Sequence, residues 1–272
     1  MQVEYCTCVL GLMFLKCFSL IISKLSKKVI VLSITELSSN SLNLKISSAV
    51  FLLLLVSLSN NTEMYNYHNS KIYKEYNFDG LFPLEEDKIY KKDKEYFFRI
   101  RTINQKITNY FLDTFLSFQT IDMKCLSLNA KTIEKKLIEK LYTITPILMK
   151  TDEGYWQYSM TFEDFEKRLK INCLKKYLYF TQKNDDLEVD KELLKRLGEN
   201  KSDDIDLFTN IKFINKKPIT IIYKGRKLVG DKVELQIANN ERAQDIAYML
   251  LGTGLLENCT RGCGFLGFKF YE

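Results

Sequence analysis

The sequence Leu250-Leu-Gly-Thr-Gly-Leu-Leu-Glu-Asn-Cys-Thr-Arg-Gly-Cys-Gly-Phe-Leu-Gly-Phe-Lys-Phe270 contains five of the eleven glycines of the 272-residue chain. Glycine is required where φ is positive or where another backbone segment comes close. A glycine-dense loop beside a helix end also presents unshielded N–H groups to an anion, and an arginine adds a planar donor that suits phosphate. The stretch therefore predicts a phosphate-binding loop, whose candidate residues are Gly252, Gly254, Arg261, Gly262 and Gly264.

A purely structural explanation of these glycines stays open at the level of pattern. In that interpretation Gly252 is the C′ cap of the preceding helix, and the remaining glycines kink an edge strand. The loop lacks the G-x-x-x-x-G-K-[ST] order of a nucleotide-triphosphate site, and it also lacks G-x-G-x-x-G. A nucleotide cofactor is therefore not expected.

A second informative segment is Tyr96–Thr102, in which Tyr96, Phe98 and Ile100 alternate with Phe97 and two arginines. The alternation predicts a strand with one buried face, while Arg99 and Arg101 point to the opposite face together with Phe97. An exposed pair of guanidinium groups suits a polyanion, and an ordinary solvated sheet face is the alternative.

The order of the elements predicts the fold class. Helical stripes follow Asn104 and Thr161 and cover 241–251, and strand patterns flank them, one of them at 143–149. Strand, helix, strand, strand, helix, strand is the ferredoxin-like order, which the second half repeats more loosely. We therefore expect an α+β protein of two tandem ferredoxin-like βαββαβ halves, residues 28–140 and 141–272, after an extension of unclear role at 1–27.

Charge and cysteine content limit the class of function. The net charge of +6 is a mild preference for polyanions, so a nucleic-acid surface has to come from local clusters. One cluster lies at the predicted turns between 212 and 232, where Lys224 and Arg226 suit phosphate contacts unless they are ordinary solvated turn residues. Seven scattered cysteines and a single histidine, His68, form no zinc pattern. We expect reduced thiols, no metal, no cofactor and a cytoplasmic location.

Two segments resemble the CRISPR-associated repeat-processing endoribonucleases of type I systems, a family within the repeat-associated RNA-binding superfamily. One is the glycine-rich stretch itself, in Gly252-Thr-Gly-Leu-Leu-Glu257 and Arg261-Gly-Cys-Gly-Phe-Leu-Gly-Phe268. The other is Tyr67-His-Asn-Ser-Lys-Ile-Tyr-Lys-Glu-Tyr-Asn-Phe78, which is similar to the catalytic-histidine segment of the family. From sequence alone we interpret residues 60–77 as an irregular, exposed loop.

The resemblance implies metal-independent cleavage of precursor CRISPR RNA within the repeat, by attack of a 2′-hydroxyl on the adjacent phosphate. It implies His68 as the acid–base residue and Lys74 as the cation that stabilises the phosphorane, with Lys71 as the alternative. Some members carry a catalytic tyrosine in a preceding helix. The corresponding apolar segment 46–58 has none, which leaves the substitutes Tyr67, Tyr73 and Tyr76.

The implied partners are the hairpin of the CRISPR repeat with its flanking single strand, and other subunits of the interference complex. A non-catalytic subunit that only binds repeat RNA is the main alternative. A membrane-associated protein, suggested by the apolar segments 6–22 and 49–58, is a third hypothesis.

Overall fold

The computed structural model describes residues 28–38, 61–87, 89–117, 123–182, 206–223 and 226–272. The extension at 1–27, both apolar segments and Lys224 lie outside these residues. In the described part of the chain, no helix is both long enough and apolar enough to span a bilayer.

The first half is an antiparallel sheet of four strands in the order β2-β3-β1-β4. That order is the ferredoxin-like one, because the two strands of each split βαβ unit enclose a strand of the other unit. Its elements are β1 (Val29–Ser38), α1 (Thr62–Asn69), β2 (Tyr76–Phe78), β3 (Glu95–Thr102), α2 (Gln105–Thr114) and β4 (Met123–Ile133).

The second half repeats the same arrangement, with the sheet order β10-β5-β9-β6 and a separate hairpin of β7 and β8. The α+β class and the two tandem ferredoxin-like halves are therefore confirmed. The elements are β5 (Ile138–Thr143), α3 (Phe162–Gln182), β6 (Phe208–Phe213), β7 (Ile219–Tyr223), β8 (Arg226–Gly230), β9 (Val233–Ile237), α4 (Glu241–Thr253) and β10 (Leu266–Phe270).

Local side-chain chemistry explains where the helices begin. The Asn104 side chain accepts from the backbone N–H of Lys106 at the start of α2. Thr161 and Asp164 form a reciprocal capping box before α3, in which each side chain accepts from the backbone N–H of the other. These local signals are the ones the sequence predicted.

Two strand predictions were wrong in part. The first strand of the second half covers Ile138–Thr143 and not 143–149, so the predicted boundary between residues 140 and 141 falls inside β5. In β3, Tyr96, Phe98 and Ile100 are buried as predicted, but Arg101 is also buried, at 4% exposure. The predicted exposed face of β3 is therefore covered at Arg101.

A single large core joins the two halves. Val29, Ile103 and Ile133 of the first half belong to the same buried cluster as the apolar face of α4. Tyr248 of α4 also completes the first sheet, because its hydroxyl accepts from Val29 N at 3.1 Å and donates to Ile133 O at 2.6 Å. The last helix of the second half thus stabilises both sheets.

Asp231, just before β9, binds the segment that precedes α3. We expect its removal to lower the stability of the fold. The buried carboxylate accepts three hydrogen bonds of 2.8 Å, from Tyr155 Oη, Trp156 Nε1 and Asn215 Nδ2. We expect Asp231→Ala to lower the free energy of unfolding by about 3 kcal/mol, since each buried donor left unpaired costs about 1–3 kcal/mol. Urea denaturation measures this change. Asp152→Ala, at an exposed site, is the control, and an equal urea midpoint for both variants would contradict the argument.

Candidate active site

His68 lies on a helix, and the prediction of an irregular loop around it was wrong. α1 covers Thr62–Asn69, and its N-cap Asn61 accepts from Met64 N through its side chain. His68 stands in the last turn of α1, where the negative end of the helix dipole favours a positive charge. The helix therefore fixes the position of the imidazole relative to β2.

The His68 ring is held by Tyr76. Nδ1 of His68 lies 2.6 Å from the Tyr76 hydroxyl, and Tyr76 is only 1% exposed on β2. Burial lowers the pKa of His68, and the nearby positive charges of Lys74 and Arg261 lower it further. His68 is therefore mostly neutral near pH 7.

Lys74 lies at the same end of α1 as His68. Its Nζ donates to Ser70 O at 2.6 Å and to Ser70 Oγ at 2.7 Å, and it stands 5.1 Å from the centre of the Tyr67 ring. Lys71, the alternative cation, is exposed. The structure thus places Lys74 close enough to His68 for its charge to act on the imidazole.

The three candidate tyrosines have different partners. Tyr76 binds the imidazole, whereas the Tyr67 hydroxyl accepts from Glu75 N at 2.8 Å. The Tyr73 ring packs edge-on against Tyr179 of α3, with 5.5 Å between the ring centres. Tyr76 is therefore the candidate whose hydroxyl makes a hydrogen bond to the His68 ring.

The glycine-rich loop packs against β2, beside the histidine. The backbone has positive φ at Gly254, Gly262 and Gly264. A Cβ at Gly254 would lie 2.8 Å from both Asn77 Nδ2 and Cys259 Sγ. All five glycines between 252 and 267 are buried, so close packing accounts for them.

The helix cap also differs from the sequence interpretation. α4 continues through Thr253 and its C-cap is Gly254, with φ 77°, so Gly252 lies inside the last turn. Arg261 in the loop is partly exposed, and its positive charge lowers the pKa of His68. The loop contributes Arg261 to the site, while its glycines allow the close approach to β2.

Lys176 is a site residue that sequence reasoning missed. It is 4% exposed on α3, and its Nζ donates to Gly254 O at 2.7 Å and lies 3.5 Å from Cys259 Sγ. The available signal was its spacing, since it follows the buried Cys173 by three residues on the same helical stripe. This lysine holds the glycine-rich loop against α3.

The two arginines of β3 have separate environments. Arg99 is partly exposed and its Nε donates to Asp79 Oδ2 at 2.6 Å. Arg101 lies between the halves, where it donates to Leu266 O and its guanidinium stands 4.4 Å from the centre of the Phe265 ring. Burial lowers the pKa of Arg101 to about 10, with a further lowering by Arg99. Arg101 therefore stabilises the contact between the halves.

The remaining predicted RNA contact within the described residues is Arg226, on the β7–β8 hairpin. Arg226 is exposed at the start of β8, and Lys227 beside it is exposed as well.

Among the described residues, no group of three or more His, Cys, Asp or Glu side chains is placed to hold a metal ion. The titratable groups near one another at α1, β2 and the loop include the His68 imidazole, the Tyr76 phenol and the cations Lys74 and Arg261.

Solved structures of similar fold were found, although no family model matches the sequence and no curated protein does. A structure titled CRISPR associated protein Cas6 is 15% identical, with a TM-score of 0.59 over 89% of this chain and 99% of its own. A Cas6-related protein from Pyrococcus furiosus is 14% identical, with a TM-score of 0.58 over 90% of this chain and 100% of its own.

A third similar structure is titled as a RAMP protein binding different RNA substrates. It is 14% identical, with a TM-score of 0.58 over 88% of this chain and 99% of its own. Agreement over nearly the whole length of each chain shows that this protein has their fold. The resemblance found in the two sequence motifs is confirmed at that level.

Proposed function

We propose that this protein is a metal-independent endoribonuclease that cleaves precursor CRISPR RNA within the repeat. The observation that carries the proposal is the placement of the single histidine at the end of α1, with Lys74 beside it and Arg261 of the glycine-rich loop within reach of its charge. Cas6 and RAMP structures of the same fold, some titled as RNA or product complexes, support repeat RNA as the substrate.

The chemistry requires few groups. A 2′-hydroxyl attacks the neighbouring phosphorus, its proton leaves, and the bond from phosphorus to the 5′-oxygen breaks as that oxygen gains a proton. His68 is the acid–base or hydrogen-bond-donating group at the reacting atoms. The cations Lys74 and Arg261 stabilise the negative charge on the phosphorane. The products are a 2′,3′-cyclic phosphate and a 5′-hydroxyl. These groups are sufficient in kind for transesterification without a metal.

The proposed RNA contacts are exposed or partly exposed cations of both halves. Arg261 and Arg99 are the partly exposed cations near the site, and Arg226 and Lys227 lie on the hairpin of the second half. Phosphate contacts from such cations dominate affinity for nucleic acids. We assign the repeat hairpin and its flanking strand to these cations in a cytoplasmic protein, with interference-complex subunits as further partners.

Incubation in EDTA with a labelled repeat RNA from the adjacent CRISPR array tests the proposal. We expect cleavage with a 2′,3′-cyclic phosphate end, and no cleavage when the nucleotide before the cut carries a 2′-deoxy sugar. A hairpin of scrambled sequence is the control for specificity. Tight binding without cleavage would favour the non-catalytic repeat-binding subunit, and absence of binding would refute the proposal.

A further inference from the structure

The hydrogen bond between Tyr76 and His68 indicates which ring nitrogen of neutral His68 carries the proton. The Tyr76 side chain is 1% exposed, and its hydroxyl is 2.6 Å from His68 Nδ1. Either Nδ1 carries a proton and the hydroxyl accepts it, or the hydroxyl donates to a bare Nδ1. In the first arrangement Nε2 of the neutral ring is a hydrogen-bond acceptor, and in the second it is a donor.

The surroundings of the hydroxyl distinguish the two arrangements. Within the described residues, Nδ1 of His68 is the one hydrogen-bond partner of the Tyr76 hydroxyl. If the hydroxyl accepted from Nδ1, its own proton would be buried without an acceptor, which is costly. If it donates, the proton is satisfied. Donation from Tyr76 is therefore the favoured arrangement.

We propose that Tyr76 is a positioning residue that donates its hydroxyl proton to Nδ1 and so holds neutral His68 in the tautomer with its proton on Nε2. This tautomer follows from the geometry of the free protein. Its catalytic consequence rests on the proposed function.

A neutral ring with a proton on Nε2 is a hydrogen-bond donor at that nitrogen and cannot accept the 2′ proton there. In the proposed cleavage, His68 then donates to a phosphate oxygen that gains negative charge, as a neutral electrophile does in other active sites. The 2′ proton then leaves to water, and water supplies the proton that the departing 5′-oxygen gains, so the step balances while the Nε2 proton stays on His68. Tyr76 thus restricts the role of His68 to hydrogen-bond donation.

Three neighbouring elements set the electrostatic surroundings of the ring. α1 with its following turn brings Lys74, the loop after α4 brings Arg261, and β2 brings Tyr76 itself. Both cations disfavour a charged imidazolium, and a donor to Nδ1 does so as well, because it binds only the neutral ring. The two cations and the Tyr76 donor favour the neutral ring, whereas the C-terminal end of α1 favours the charged one, and the pKa of His68 is lowered on balance.

Nuclear magnetic resonance of the single histidine tests the inference in the full chain without RNA. In ¹⁵N-labelled protein above neutral pH, we expect Nδ1 to show the shift of an unprotonated nitrogen and Nε2 that of a protonated one. Because His68 is the only histidine, its two ring nitrogens are assigned without ambiguity. A proton on Nδ1 in the wild-type protein would overturn the inference.

The variant Tyr76→Phe provides the second measurement. It keeps the buried ring and removes the donor, so the nitrogen shifts should move toward those of a tautomer mixture and the pKa of His68 should rise. Tyr90→Phe is the matched control, since Tyr90 is also 1% exposed and donates to Leu81 O at 3.2 Å. Unchanged shifts and pKa in a folded Tyr76→Phe protein would contradict the proposal.

Cleavage assays separate this inference from the proposed function. If the protein cleaves repeat RNA, Tyr76→Phe should lower kcat by about tenfold with KM unchanged, because the aligned donor is lost. A protein that shows the expected tautomer but cleaves nothing would refute the proposed function alone. A protein that cleaves with its proton on Nδ1 would refute the tautomer inference alone.

Discussion

Replacing His68 by alanine is expected to slow repeat cleavage by about 10²–10⁴-fold, the usual range for losing a positioned acid–base group or a hydrogen-bond donor at developing charge. The reason is geometric, since α1 and Tyr76 hold one imidazole beside Lys74 and the glycine-rich loop. No second histidine exists in the chain to replace it. Single-turnover cleavage with excess protein measures the rate of the chemical step, and a binding assay with 2′-deoxy RNA measures affinity separately.

The affinity for RNA should not change, because neutral His68 contributes little to phosphate binding. Asn69→Ala is the matched control, as Asn69 is the next residue of α1 and is exposed. Its cleavage rate should equal that of the wild type. Wild-type rates in the His68→Ala protein would show that the nuclease chemistry, if present, lies elsewhere. Equal losses in both variants would indicate damage to α1 and not to the chemistry.

The second large effect is expected for Gly264→Ala, on stability. The backbone at Gly264 has φ +65°, and a Cβ there would lie 2.1 Å from the backbone oxygen of Leu255. Neither loop segment can move easily, because Leu255 N donates to Gly264 O and Gly264 N donates to Pro146 O, both at 2.9 Å. A left-handed alanine alone costs about 1–3 kcal/mol, and the contact adds to it. We expect a total loss of more than about 3 kcal/mol.

Gly154→Ala separates the two contributions. Gly154 also has positive φ, +96°, but no atom lies within 4 Å of the Cβ position. This variant should lose only the conformational part, about 1 kcal/mol. Urea denaturation of both variants, followed by circular dichroism, gives the comparison. If the two variants had equal unfolding midpoints, the contact between Gly264 and Leu255 would not be the cause of the loss.

The sequence predicted what depends on local pattern. The cap at Asn104, the capping box at Thr161 and the alternation of β3 are all encoded within a few residues, and the structure contains each of them. The helix that carries His68 was missed because α1 is short, polar and without a fully buried residue. Its stability comes from its cap and from contacts with β2, neither of which leaves an apolar periodicity.

Two features of the candidate site could not be predicted from the sequence, for a common reason. Alternation in β3 separates two faces, but it cannot show that the second half covers Arg101. Glycine spacing likewise does not distinguish the close approach of a ligand from that of the protein's own chain. At Gly254 one neighbour is Asn77 of β2, which belongs to the first half and is distant in the sequence. Such contacts between the halves require the fold to be known.

The hydroxyl of Tyr248 has a consequence for how the chain is made. It joins the first residue of β1 to the last of β4, yet it lies in the last helix of the chain. During synthesis the first sheet emerges long before residue 248, and until then Val29 N and Ile133 O lack this partner. N-terminal domains usually fold first as they leave the ribosome. Here the first half reaches its final stability only when almost the whole polypeptide has been translated.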